Sequence, residues 1–203
     1  MKRISAVAFA VIGLSMAATS SSAIEQPQYA VKAKDRDFEV RTYKPYVVAE
    51  VVASGDQDRS IQAGFRKLAG YIFGGNQGRA KIAMTSPVAQ APQGEKIAMT
   101  SPVTQAPQDA GRWTIQFMMP GAYTLGTLPK PNDPDISFRE VPSKSMASLK
   151  FSGVANDRVY RDRSGALRKW VAERGLQAQG ETVLAQYDPP WIPWFMRRNE
   201  VLI

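Results

Sequence analysis

One plan occurs twice along this chain, and it limits the fold more than any other feature: two extended runs, a Ser-Gly step, then an amphipathic helix. Phe38 to Gly55 lies over Phe138 to Gly153 in that order. In the first half, Phe38-Glu39-Val40-Arg41-Thr42-Tyr43 alternates apolar and polar residues, Lys44-Pro45 turns the chain, and the Val-rich run 46–53 reads as a more buried strand. A helix is predicted over about 59–73, with Ile61, Phe65, Leu68 and Ile72 on one apolar stripe and Gly74-Gly75-Asn76 as its stop. In the second half, 136–140 and 145–151 read as strands. The helix after them begins at about 156 or 157 and runs to 174, with Leu167, Trp170 and Val171 inward. Gly64-Phe65-Arg66-Lys67 loosely matches Gly165-Ala166-Leu167-Arg168, and further strands are predicted near 29–34, 113–118, 182–187 and 200–201. The expectation is a pseudo-duplicated α+β domain, with an antiparallel sheet curling around and two helices packed on it. Strands arriving in adjacent pairs argue against a parallel doubly wound sheet.

A second, shorter repetition is literal. Lys81-Ile82-Ala83-Met84-Thr85-Ser86-Pro87-Val88 recurs as Lys96-Ile97-Ala98-Met99-Thr100-Ser101-Pro102-Val103, an offset of 15 residues. The match continues through Ala91-Pro92-Gln93 and Ala106-Pro107-Gln108, with Thr104 in place of Ala89. Two copies are too few for a solenoid, so this is a local duplication within 81–108. One copy is expected to hold the structural strand position while the other forms a hairpin or flap. Period-2 spacing would put Ile97, Met99 and Val103 on one face, and likewise Ile82, Met84 and Val88.

Composition removes many chemistries. The chain has 203 residues, no Cys and no His. Disulfides, thiolate nucleophiles, Ser-His-Asp triads, His-based zinc sites and histidine-ligated haem are therefore excluded. No phosphate-loop or dinucleotide fingerprint is present, because Gly74 to Lys81 follows a helix and has the wrong spacing. The start, Met1-Lys2-Arg3, an uncharged run 4–18, then Thr19-Ser20-Ser21-Ser22-Ala23, reads as a secretory signal peptide cut after Ala23. That leaves 24–203 as a single exported domain, expected in a bacterial periplasm. Loss of Lys2 and Arg3 lowers the formal charge of +8 by two, to +6. A basic exported chain suits anionic small molecules or an anionic membrane surface, and nucleic acid is not an expected partner.

Several ordered motifs resemble one family. They are Glu39-Val40-Arg41-Thr42-Tyr43, Tyr71-Ile72-Phe73-Gly74-Gly75-Asn76, the Lys-Ile-Ala-Met-Thr-Ser-Pro-Val element and Phe117-Met118-Met119-Pro120. Phe151-Ser152-Gly153 and the ending Tyr187-Asp188-Pro189-Pro190-Trp191 through Arg197-Arg198-Asn199-Glu200 complete the set. Over about 29–201 the chain resembles the SOUL haem-binding protein family. The resemblance implies a distorted antiparallel β-barrel flanked by two α-helices, related to bacterial effector-binding domains. It also implies that haem or a related porphyrin lies in a hydrophobic groove near the first helix. Phe65 and the basic residues Arg59, Arg66 and Lys67 on that helix are then candidate contacts, the basic groups for propionates. Without His, an axial ligand would have to be Met or Tyr: Met84 and Met99 first, then Met118 and Met119. Each Met has packing as its ordinary alternative role. No structural metal is expected.

The reading that follows is a non-enzymatic tetrapyrrole carrier or sequestering protein of the cell envelope. The alternative is a binding module for another amphipathic anion, or an envelope interaction protein. That alternative would use the stiff aromatic segment 188–196, with Trp191 and Trp194 beside Arg197 and Arg198. No poised acid–base pair is visible.

Overall fold

A computed structural model describes residues 24–78, 94–108, 111–189 and 191–203. Residues 1–23, the expected signal peptide, together with Met84 and the rest of the first repeat copy, lie outside the described residues.

The strands are β1 (Tyr29–Asp35), β2 (Phe38–Tyr43), β3 (Tyr46–Ser54), β4 (Asn76–Gln77), β5 (Val103–Pro107), β6 (Arg112–Met118), β7 (Lys130–Pro131), β8 (Ser137–Val141), β9 (Lys144–Ser152), β10 (Val183–Gln186) and β11 (Arg198–Leu202). Helix α1 (Gln57–Ile72) follows β3, and α2 (Asp157–Glu173) follows β9. Nine strands form one curled antiparallel sheet, a half-barrel in the order β1-β2-β9-β11-β10-β5-β6-β3-β8, while β4 and β7 pair separately.

The doubled plan is present, but the two halves interlock. Each consecutive pair separates: β2 joins β9 (Val40 opposite Ala147), and β3 joins β8 (Ala49 opposite Phe138). Lys44-Pro45 is thus a crossover between distant positions of the sheet and not a hairpin turn. Each half completes the other half's sheet, so neither can bury its apolar strands alone.

Both helices begin at side-chain caps. Asp56 accepts from the Arg59 N–H at 2.8 Å, and Asn156 accepts from the Val159 N–H at 3.0 Å. Helix α1 therefore starts two residues earlier than its apolar period suggests. Its buried face is also rotated from the expected stripe. Gln57, Ser60, Gly64, Leu68, Tyr71 and Ile72 face the sheet, whereas Ile61 is half-buried and Phe65 is 38% exposed. The cause is Gly64: a Cβ there would come within 2.7 Å of Ile115, so only glycine lets α1 lie this close to β6. In the second half Leu167, Trp170 and Val171 are buried, as expected.

Helix α1 packs on β3 and β6 around Ala49, Val51, Leu68, Ile115 and Phe117. Helix α2 packs on β9 and β11 around Leu149, Phe151, Leu167, Leu184 and Val201. Trp113 touches both clusters. Strands β5 and β10, paired to each other, form the floor between the helices.

The second repeat copy occupies the structural position, but not as one continuous strand. Ile97 is buried, Met99 is 37% exposed and Thr100 is buried, so side chains alternate with a period nearer three before β5 begins at Val103. The expected shared face of Ile97, Met99 and Val103 does not form. Local hydrogen bonds fix the path instead: Ile97 N–H donates to Ile72 O at 2.8 Å, and Ser101 N–H to Glu25 O at 2.9 Å.

Candidate functional site

The floor between the helices is closed in the middle and open at one end. Gln105 and Leu184 are buried at its centre, and the Gln105 amide donates to Gln57 O at 2.8 Å. At the open end, Phe117, Val103 and Gln186 stand in one row across β6, β5 and β10. Two strand spacings, roughly 10 Å, therefore separate Phe117 from the point where the chain leaves β10. Val103 and Gln186 are only half-buried.

Three apolar groups lie at this end of the sheet, two beside the end of β6 and one, the loop, with its short turn 194–196 packed on β9. Phe65 of α1 sits edge-on to Phe117, ring centroids 5.3 Å apart. Met99 lies just before Thr100, whose hydroxyl donates to Met118 O beside the end of β6. The third group is the β10–β11 loop. Trp191 is 76% exposed there, and Trp194, Phe195 and Met196 are exposed by about as much as each other. Turn bonds stiffen this loop: Ile192 N–H to Pro189 O at 3.1 Å, Met196 N–H to Pro193 O at 2.9 Å, and the Arg197 Nε to Ile192 O at 2.8 Å. Trp194 and Phe195 pack edge-on at 5.8 Å. So many large apolar groups held in solvent by a stiff backbone mark a candidate interaction surface.

The candidate cations differ sharply. Lys67 lies 3.3 Å from the Asp133 carboxylate and is hydrogen-bonded to Asp135, which with Asp133 raises its pKa. Its charge is already matched, which weakens its candidacy as a propionate partner. Arg59 sits at the start of α1 with its side chain 85% exposed, 3.3 Å from Asp56. Arg66 is exposed one residue beyond Phe65. Of the methionines, Met118 and Met119 are core residues on the described structure, which removes them as open ligands, whereas Met99 and Met196 are exposed.

Beneath the aromatic loop lies a charged network that the sequence pattern did not single out as functional. Glu200 on β11 is fully buried and accepts from Arg41 twice, at 2.6 and 3.1 Å. It also accepts from Arg198 at 2.7 Å and from the Tyr187 hydroxyl at 2.8 Å. Arg41 further donates to Glu39 at 2.7 Å and to the Tyr43 hydroxyl at 3.1 Å. Burial pushes the Glu200 carboxyl up, but bonds and charge from Arg41 and Arg198 outweigh it and hold the pKa below the ordinary range. Burial likewise raises Tyr43, to about 12, and Tyr187. Tyr187 and Arg198 are the two legs of the aromatic loop, and Arg198 N–H also donates to Asp188 at 2.6 Å. Glu200 thus ties both legs to β2. The available signal was the charged residues at alternate positions of the strand 38–43, pointing away from the helix-covered face.

Tested against a porphyrin, this donor set fits binding through the ring faces. It offers aromatic and thioether surface at the rim and an arginine beside it. It has no imidazole or thiolate. Among the described residues no cluster of three or more Asp and Glu could hold a metal.

Comparisons with known proteins agree with the motifs. Heme-binding protein 2 of Mus musculus is 25% identical over 196 residues, 90% of each chain. Heme-binding protein 1 of Xenopus tropicalis is 28% identical over 166 residues, 81% of each. Among solved structures, the EcmrR C-terminal domain matches with a TM-score of 0.58 at 11% identity, covering 82% of this chain and 94% of that one. A hydrolase from Listeria innocua matches with a TM-score of 0.51 at 12% identity, covering 84% and 92%. At such identities these two share the fold alone. The family model described as SOUL heme-binding protein matches residues 24–203, from the first described residue through β11, and the chain belongs to that family.

Proposed function

We propose that this protein binds haem or a related tetrapyrrole, without catalysis, on the open end of the floor between α1 and α2. The observation that carries the reading is the exposed apolar surface at that end of the sheet, with Phe65 and Met99 beside the end of β6 and the stiff loop bearing Trp191 and Trp194 where the chain leaves β10. An amphipathic disc would cover these side chains with its faces and turn its carboxylates toward Arg66; Arg59, at the start of α1 beside Gly55, lies toward the opposite end of β6. When bound, haem would supply redox-active iron; the residues of this chain would hold the ring and exclude water from it. The leader-like start, the basic charge and the family's ligand together support an exported carrier or sequestering role in a periplasm.

Tryptophan fluorescence provides the test, because Trp191 and Trp194 lie at the rim. Haemin is expected to quench it saturably, and the Trp191→Ala/Trp194→Ala double variant is expected to bind several-fold more weakly. Unchanged affinity in that variant would remove the loop from the site. The same exposed loop favours one other reading, docking on an anionic membrane. Loop-dependent binding to anionic vesicles, with no porphyrin affinity, would select it.

A further inference from the structure

The duplicated octapeptide has a structural consequence. The second copy is seated by a defined set of contacts. Ile97 is buried and bonds Ile72 O, the Thr100 hydroxyl bonds Met118 O, and Ser101 N–H bonds Glu25 O. Val103 pairs with Phe117, Gln105 bonds Gln57 O, and Gln108 bonds Arg112 O and the Thr114 hydroxyl. Each of these residues has an identical counterpart 15 positions earlier: Ile82, Thr85, Ser86, Val88, Gln90 and Gln93.

We propose that the two copies are alternative occupants of one seat, so that the chain has two registers. In the described register, residues 96–107 are seated and the 15 extra residues lie in the β4–β5 connection. In the other, residues 81–92 take the seat, and the extra residues pass to the β5–β6 connection at the opposite end of β5. No side-chain contact of the seat is lost except at two places. Thr104 donates to Gln116 at 3.1 Å, and its counterpart is Ala89. Glu95 accepts from the Tyr123 hydroxyl at 2.6 Å, and its counterpart is Ala80. The two bonds between Asn76 and the main chain of Glu95, one donated by the Asn76 amide and one accepted by its oxygen, would be available to any residue. Gly94 is a further difference, since a Cβ there would meet Gly74 O at 1.8 Å and its counterpart is Arg79. The chain must therefore reach the seat in the first-copy register by a shorter route, turning at Gly78.

These differences favour the described register, the two lost bonds alone by on the order of ten- to a hundredfold. Moving a loop of unchanged length from one end of a strand to the other adds little, because closure entropy depends only logarithmically on length. The first-copy register is then a minor state that a modest perturbation makes dominant.

The test is a set of aspartate substitutions read by urea denaturation with far-UV circular dichroism. Deleting 81–95 leaves a one-copy chain, which is expected to fold. In that chain Ile97→Asp is expected to abolish folding, because it buries a charge in the core around α1. In the full chain, Ile97→Asp is expected to stay folded with a lowered midpoint, Ile82→Asp to match the parent, and the double variant to unfold. If Ile97→Asp unfolds the full chain as completely as the one-copy chain, the copies do not exchange. A one-copy parent that fails to fold, or a folded one-copy Ile97→Asp variant, would equally overturn the proposal. The deletion series reads folding alone, so it stands or falls independently of porphyrin binding.

Discussion

Glu200→Gln isolates the network under the aromatic loop. The carboxylate is fully buried and accepts from Arg41, Arg198 and Tyr187. The amide keeps its size but removes the charge, leaving Arg41, itself 2% exposed, with Glu39 as its remaining anionic partner. Breaking a buried pair by removing one charge costs about 3–5 kcal/mol, because the other charge stays buried. For a domain of this size, that corresponds to a fall in Tm of about 6–20 °C. The pH dependence has a definite sign. A carboxyl held below its ordinary pKa of 4.5 contributes stability that is present above that value and is lost as pH falls through its folded-state pKa. Wild type should therefore lose stability on acidification below about pH 4.5, and Glu200→Gln should show a shallower acid limb. Urea denaturation between pH 3 and 7 measures both. A loss under about 1 kcal/mol at pH 7 would show that the network is solvated and refute the argument.

Other expectations follow from single contacts. Phe65→Ala removes the edge contact with Phe117 and should weaken haemin and protoporphyrin binding alike, by about 2–10-fold in a fluorescence titration. Lys67→Ala should leave porphyrin affinity unchanged, since Asp133 and Asp135 already match its charge, whereas Arg66→Ala should weaken binding and make it less salt-sensitive. Gly64→Ala forces α1 away from Ile115 and should destabilise the fold by about 1–3 kcal/mol by urea denaturation. Met99→Leu should shift the haem absorbance spectrum only slightly, as face contacts predict; disappearance of the Soret shift would instead assign Met99 as an iron ligand.

The doubled strand-strand-helix plan, both helices and most strands were legible because period and punctuation are local properties. Pairing was not. Nothing in 38–53 announces that β2 and β3 part to join β9 and β8, since sheet partners depend on how two halves bury each other. The rotation of α1 escaped for a similar reason: the apolar period favoured Phe65, while the space left by Gly64 against Ile115 decided which face went in. At the site, the aromatic segment 188–196 was readable as unusual. Its place at the same end of the sheet as Phe65 and Met99 depended on the Phe117–Val103–Gln186 row, which pairs residues as much as 83 positions apart. Glu200 was hidden because a buried charge is recognisable only once its partners Arg41 and Arg198 are seen around it. Lys67 was read as available because the sequence does not show that Asp133 and Asp135 fold onto it.

A parallel titration of residues 24–203 with haemin and iron-free protoporphyrin, followed by absorbance and tryptophan fluorescence, tests the central claim most directly. Saturable binding of both at similar affinity is the predicted result, because the proposed site would grip ring faces and carboxylates rather than iron. Saturable binding of haemin alone would contradict the face-binding account and assign a Met or Tyr ligand. Binding of neither would contradict the proposed function itself.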